Sequence, residues 1–340
     1  MKQSLLLLCL LRVVTLMAQD PEFSQYYAAP LYLNPAFAGS SDDHRFIANY
    51  RNQWPNVARG FVTYALSYDY DLQRYNSSLG VLAMVDKAGS AGMKSTQLNA
   101  IYAYRLTLGK KVIVSTGLNF GYGFRGIDFN RLLFGDQLQF DSDGLAPSDD
   151  PASYLQNNVG YFDFKAGMVA YSRKFWLGMA MSHINQPNRS LLDEQAHIPI
   201  KTTIHGGVRL PLYANSYRQT QEAIFSPSFV YKKQARFDQL DLGAYFIYSP
   251  VMLGLWYRGI PIQQNAADNI SQDAAVIILG FQFDDLEIGY SYDFTVSELG
   301  PISGGTHEIS LQYHFPVQIS THHKRKPKLI PCPTFNHKRK

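Results

Sequence analysis

The sequence predicts an all-β protein, a transmembrane antiparallel β-barrel of about 14 strands, and three observations carry that prediction. Among 340 residues there are 23 Tyr and 21 Phe against 3 Trp. That profile suits strands whose side chains meet an interface, because a tyrosine ring is apolar and its tip is polar. Alternation with a period of two residues recurs along the chain, as strands with two unlike faces require. After the N-terminus no run of about 18 apolar residues occurs, so helical membrane spans are excluded. A slightly negative mean hydropathy fits the other membrane architecture, in which each strand has one apolar and one polar face.

The first element is a secretory signal peptide over residues 1–18. Met1 and Lys2 give a positive start, Leu5 to Leu11 an apolar stretch broken by Cys9, and Ala18 a small residue before the cut at Gln19. Its removal leaves Cys332 as the sole thiol of the two cysteines, so any disulfide must be intermolecular.

The second element is a leader over residues 19–42, "QDPEFSQYYAAPLYLNPAFAGS" and the two residues after it. Pro21, Pro30 and Pro35 forbid a continuous helix and a central strand alike. Asn34 before Pro35 favours a turn, and Gly39 can supply a positive φ where the chain swings into the barrel. The leader is expected to pack against or inside the periplasmic mouth, with Phe23, Tyr26, Tyr32 and Phe37 as aromatic anchors, either as a plug or as a docking surface for a partner.

The third element is the barrel, residues 43–315. In "VTYALSYDY", Val62, Tyr64, Leu66, Tyr68 and Tyr70 share one face, and Thr63, Ala65, Ser67 and Asp69 the other. "LEIGYSYDF" and "EISLQYHF" repeat the pattern. The second face is polar or small, which suits a water-facing lumen. Segments of this kind fall near 43 to 54, 59 to 71, 76 to 87, 93 to 106, 110 to 126, 157 to 172, 174 to 184, 200 to 211, 222 to 232, 237 to 248, 250 to 258, 272 to 284, 285 to 294 and 305 to 315. An even number lets an antiparallel sheet close with both ends of the barrel on one side. Connections alternate between short ones, at 72 to 75, 107 to 109, Arg173, Ser249 and the 284/285 junction, and long ones at 127 to 156, 185 to 199, 259 to 271 and 295 to 304. Three depart from the alternation: 212 to 221, 88 to 92 and 233 to 236. A soluble β-sandwich is the competing architecture, but it would have to bury an unusual number of tyrosine hydroxyls.

The leader, followed by "YRNQW" at Tyr50 to Trp54, resembles the start of the PorP/SprF family of Bacteroidota. Phe23, Ser24, Gln25, Tyr26, Asn34, Pro35, Ala36 and Gly39 carry the resemblance. It extends to "FGDQL", with Gly135, Asp136 and Gln137 in the longest loop, and to the closing "HEISLQYHF" strand. The resemblance implies a FadL-like outer-membrane barrel with both termini periplasmic. It also implies a role in type IX secretion or gliding, with periplasmic components of that apparatus and a large secreted surface protein as partners besides outer-membrane lipid.

The last element is a tail over residues 316–340. Lys324, Arg325, Lys326, Lys328, Lys338, Arg339 and Lys340 are its charges, and it holds no acid, whereas the whole chain has a formal net charge of +4. Such a tail is expected to be solvated or to meet acidic partners in the periplasm, with Cys332 free for a mixed disulfide.

Chemistry is thin elsewhere, and no enzyme, cofactor, metal or nucleic-acid partner is expected. Ser182 and His183 are adjacent and would point to opposite faces of a strand, so neither they nor His205 build a triad. His322 and His323 lack carboxylates at ligand spacing, "DSDGLAPSDDP" lacks the closing Glu of a calcium loop, and "GYGFRG" has no following Lys-Ser/Thr. The alternative function is transport of a small apolar solute, which small lumen-facing residues such as Gly243 and Gly289 favour.

Overall fold

A computed structural model describes residues 20–41, 44–57, 60–89, 92–109, 111–127, 137, 158–191, 195–213, 223–264, 270–296 and 301–315. The expected signal peptide, Gly135, Asp136, the acidic loop and the whole basic tail with Lys324, Arg325, Lys326, Lys328 and Cys332 lie outside the described residues.

The chain forms one antiparallel sheet that closes on itself. Its strands are β1 (His44–Gln53), β2 (Phe61–Leu72), β3 (Ser77–Ala88), β4 (Met93–Leu108), β5 (Val112–Gly126), β6 (Asn158–Tyr171) and β7 (Phe175–Ser182). They continue as β8 (Lys201–Val208), β9 (Leu210–Tyr213), β10 (Ala223–Gln234), β11 (Phe237–Tyr248), β12 (Val251–Gln264), β13 (Ile270–Phe283), β14 (Leu286–Thr295) and β15 (Thr306–Phe315). β8 and β9 both pair with β10 and are separated by Arg209, so they share one place in a wall of 14 positions. β1 pairs with both β2 and β15, which closes the ring. Closure has a physical cause: hydrocarbon offers no partner to a backbone N–H or C=O, so a sheet that spans a membrane can leave no edge.

The alternation falls as the sequence predicts. On β2, Tyr64, Leu66 and Tyr68 face outward while Thr63, Ala65, Ser67 and Asp69 are buried. Around the barrel the outward side chains are mainly Leu, Phe, Tyr, Val, Ile and Met, Leu66 being 50% exposed and Phe120 55%. No helix among the described residues is long and apolar enough to cross a membrane.

Most connections sort by end, and the three that the sequence set apart stay apart: 89–92 and 235–236 are short at the far end, and the β9–β10 connection is long at the near one. Where β1 begins and β15 ends, the connections after β2, β4, β6, β11 and β13 are short. Asn76 (φ 53°) and Asp284 (φ 49°) reverse the chain there in the left-handed region that Asn and Asp tolerate. The other end carries the longer connections, including 127–157 and 183–200.

Two expected segments differ in extent. The 200 to 211 segment breaks at Arg209 into β8 and β9. The 259 to 271 loop shrinks, because β12 and β13 run on past a register shift at Arg258/Gly259 with sparse pairing beyond it. β8 pairs with β10 without a shift from Lys201/Gln234 to Gly207/Ser228, and β10 with β11 from Gln234/Phe237 to Ile224/Ile247, whereas β9 slips on β10 at Ala223/Ile224.

The interior is where expectation and structure part. A water-facing lumen was predicted, yet Asp69, Ser115 and Glu308 on the inner face are 0% exposed. Each buried apolar cluster joins a piece of the leader to a patch of wall: Tyr27 and Ala28 with Tyr245, Trp256 and Ile278; Phe23, Leu31 and Ala38 with Leu82, Met84 and Ile101; Ala36 and Phe37 with Val169, Tyr171 and Trp176.

Candidate functional site: the leader and its bed

The prolines break residues 20–40 into single turns, Tyr26–Ala28, Pro30–Leu33 and Pro35–Phe37. Such a segment satisfies only part of its own backbone through these turns, so its remaining polar groups must find partners on the wall. At its start Asp20 Oδ2 lies 2.8 Å from His183 Nε2 and 3.7 Å from Lys201 Nζ. Glu22 Oε2 is 3.1 Å from Lys232 Nζ. Burial alone would push both carboxyls up, but His183, Lys201 and Lys165 around Asp20, and Lys232, Lys201 and Arg258 around Glu22, outweigh it and hold both below the usual carboxylate range.

Ser24 and Gln25 dock on the first half of β15. The Ser24 and Gln25 backbone N–H groups donate to the two oxygens of Glu308 at 2.8 and 3.1 Å. Ser24 Oγ donates to Asp293 at 2.7 Å and accepts from Arg51 at 2.7 Å and from Arg258 at 2.8 Å. Gln25 donates to the Glu308 carbonyl at 2.9 Å and accepts from Ser310 at 2.6 Å. Tyr26 donates to Asp241 and stacks edge-on to Trp256 with centroids 5.1 Å apart. Tyr32 donates back to the Pro21 carbonyl, packs on Phe23, and presents its ring to Lys165 and Lys201.

The second half is held by shape. Asn34 Oδ1 accepts from Ala36 N at 2.9 Å, capping the Pro35–Phe37 turn, while Nδ2 donates to the Met168 and Met179 carbonyls at 3.2 and 3.1 Å. The same nitrogen lies 3.0 Å from His205 Nε2, and Phe37 lies tilted over that ring. Ser115 donates to the Ala36 carbonyl at 2.8 Å. Gly39, at φ 63°, donates to Asp69 at 2.7 Å and accepts from Arg105 at 2.8 Å. Behind Asn34 to Ala36 the wall is recessed at two glycines. A Cβ on Gly117 would collide with Ala36 N and the Pro35 carbonyl carbon, and one on Gly167 with Asn34 Oδ1.

Gly243 and Gly289, read as favouring passage of a solute, serve other ends. A Cβ on Gly289 would strike the Tyr27 hydroxyl and Gln25, and one on Gly243 the Trp256 ring. The smallness of both positions is already used by the packed interior. His183 also departs from expectation. It lies just past β7 with φ 58°, points inward, and has one ring nitrogen on Asp20 and the other on Asp163 at 2.9 Å. Ser182 beside it lines a small cavity of about 30 Å³ under Tyr32, room for about one water.

The barrel's own charges are paired between strands that adjoin or lie one strand apart. Arg45 meets Asp69 at 2.9 Å, Arg105 meets Asp71, and Arg51 bridges Asp293 and Glu308 at 3.1 and 3.0 Å. Arg258 meets Asp293 at 3.2 Å and Lys232 meets Asp241 at 3.0 Å.

The leader does not stop at one mouth. Gly39 and Arg105 sit near the short-turn end, whereas His183 follows β7 and Lys201 opens β8 at the long-loop end, so Asp20 reaches the opposite half of the lumen. There it borders a vestibule of about 650 Å³ lined also by Glu22, Trp54, Phe61, Arg125 and Phe237. Among the described residues no cluster of three or more His, Cys, Asp or Glu could hold a metal. The single described loop-motif residue, Gln137, is half-buried.

The structure sets the residues that the sequence singled out, Phe23, Ser24, Gln25, Tyr26, Tyr32, Asn34, Pro35, Ala36, Phe37 and Gly39, against the wall. Sequence reading missed Asp20, Glu22 and Tyr27 in the leader, and the wall residues that receive it. A signal existed: Arg51 and Glu308, and Arg45 and Asp69, are direct register partners. Charges at inward positions of adjoining strands would have revealed the pairs once the register was known.

A closed sheet with an apolar outer face and a buried, ion-paired inner face is an outer-membrane β-barrel. Residues 15–313 match the family described as type IX secretion system membrane protein PorP/SprF. The chain belongs to that family. No curated protein matches it. Among solved structures it is similar to the toluene transporter TbuX of Ralstonia pickettii, at 9% identity and TM-score 0.47 over 85% of this chain and 94% of that one. The P. putida toluene transporter TodX gives 11% identity and TM-score 0.45 over 83% and 92%. The CymD monoaromatic hydrocarbon channel gives 12% identity and TM-score 0.44 over 85% and 93%.

Proposed function

We propose that this protein is a non-enzymatic component of type IX secretion that helps a large secreted protein cross or remain at the outer membrane, and that its leader is a plug. Family membership supports the secretion role. The observation that carries the plug is the burial of residues 23 to 38, in which Gln25, Asn34 and Ala36 are 0% exposed and hydrogen-bonded to opposite sides of the barrel. A chain segment bonded to both sides of the wall narrows the space left for water beside it. Short turns face the periplasm in bacterial barrels, so the start of β1 and the end of β15 are assigned to that side and the vestibule to the cell surface. In that orientation the basic tail of residues 316–340 follows β15 into the periplasm, where acidic components of the machinery are its partners.

The test is deletion of the gene followed by surface proteomics. Loss of a large secreted protein from the surface is the expected outcome. Unchanged surface proteins with lost uptake of a small apolar solute would replace the reading with transport.

A further inference from the structure

The barrel wall compensates its own charges. Arg45 has Asp69, Arg51 has Glu308, and Lys232 has Asp241, with every partner on a strand. The leader adds carboxylates to two cations that already have one, Asp20 to His183, which holds Asp163, and Glu22 to Lys232, and Asp20 also reaches Lys201. An interior built around a permanent insert has no reason for such self-sufficiency, since a buried ion that loses its sole partner is strongly destabilising. Here the leader can leave and most ion pairs stay made.

The recesses point the same way. Gly117 makes room for the backbone of Pro35 and Ala36, and Ser115 donates to the Ala36 carbonyl, so the bed reads main chain as much as side chains. The leader's first described residue borders the 650 Å³ vestibule, which gives a second chain room to enter beside it. Lys165 and Lys201 flank Tyr32, and Lys201 meets Asp20, so they favour an acidic, aromatic segment.

We infer that the lumen is a polypeptide-binding channel whose leader is an exchangeable resident, and that its ligand in trans is another extended polypeptide of the same chemistry. That chemistry is an acidic start, a pair of tyrosines, and an Asn-Pro turn followed by Ala-Phe. The inference rests on the plug reading and adds to it that the plug can be replaced.

A protease site placed between Ser41 and His44 allows the leader to be cut after the full chain has folded, which removes the risk that a deletion fails to assemble. The cut protein is incubated with a fluorescent synthetic peptide of residues 20–41. Saturable uptake of one peptide per barrel, competition by unlabelled peptide, and at least about fivefold weaker binding of the Asn34→Ala peptide are expected. Retention of the original leader with no uptake, or equal binding of a scrambled peptide, overturns the inference. Bilayer conductance of the same samples separates the two levels. A cut, leader-free barrel that conducts no more than the intact one refutes the plug itself, whereas a blocked barrel that never exchanges refutes only replacement.

Discussion

The two halves of the leader are held by different physics. Residues 20–27 are gripped by ions and charged hydrogen bonds: Asp20 by His183 and Lys201, Glu22 by Lys232, Ser24 by Arg51, Arg258, Asp293 and Glu308. Residues 31–39 are seated mostly by fit, with Gly117 and Gly167 recessed behind Asn34 to Ala36 and with carbonyl groups of the wall as partners. The difference teaches where each half is vulnerable. A charged grip answers to removal of a partner and to pH, while a shaped seat answers to one added methyl group.

The largest expected effect comes from breaking the charged grip at its centre. Arg51→Ala removes a guanidinium from Glu308 and Asp293, and breaking a buried pair costs about 3–5 kcal/mol. A lowered urea midpoint of the detergent-solubilised barrel is expected, with early proteolysis of the leader's first half. An unchanged midpoint would show that Arg258 alone suffices. Next comes the seat. Gly117→Ala should cost about 1–3 kcal/mol by overpacking, because its Cβ meets backbone rather than a flexible tip. The barrel midpoint should hardly move while residues 31–39 become protease-sensitive, and continued protection would break the comparison.

Asn34→Ala is expected to weaken the seat by about 1–2 kcal/mol, since it deletes a turn cap and two donations to the wall. Protection of the second half should fall, and that of Asp20 to Tyr27 should persist.

The smallest effect is that of pH, and it should touch the first half alone. Asp20 and Glu22 are held below their ordinary values of 3.8 and 4.5. Their contribution is therefore present above about pH 4.5 and is lost as the pH falls toward their lowered values. His183 works in the opposite direction. Burial opposes its proton, but Asp20 and Asp163 outweigh burial and hold it above 6.5. Its contribution is present below pH 6.5 and is lost as the pH rises through the raised value. Protection of residues 20–27 should be greatest between about pH 4.5 and 6.5, and a flat profile by hydrogen exchange would remove the ionic account.

Much of the wall was legible because lipid imposes a period of two. Tyr64, Leu66 and Tyr68 could be assigned outward from their own stretch, and Asn76 and Asp284 fall where short turns were expected. The eighth strand's break at Arg209 was not legible, since a local kink leaves the alternation on either side almost intact. The interior was half legible. Three prolines excluded regular structure in the leader, and Asn34 and Gly39 were assigned the turn and the positive φ that they adopt. That the polar inner face is buried could not be read there, because Asp69 in water and Asp69 under Gly39 are the same letter. Gly289 illustrates the point most sharply: only the hydroxyl of Tyr27 above it distinguishes a channel lining from a seat.

The central claim is that the leader fills the lumen, and single-channel conductance in planar bilayers tests it most directly. Protein lacking residues 20–40 should conduct well above the intact chain, which should stay nearly closed. Equal conductance of the two would contradict the account.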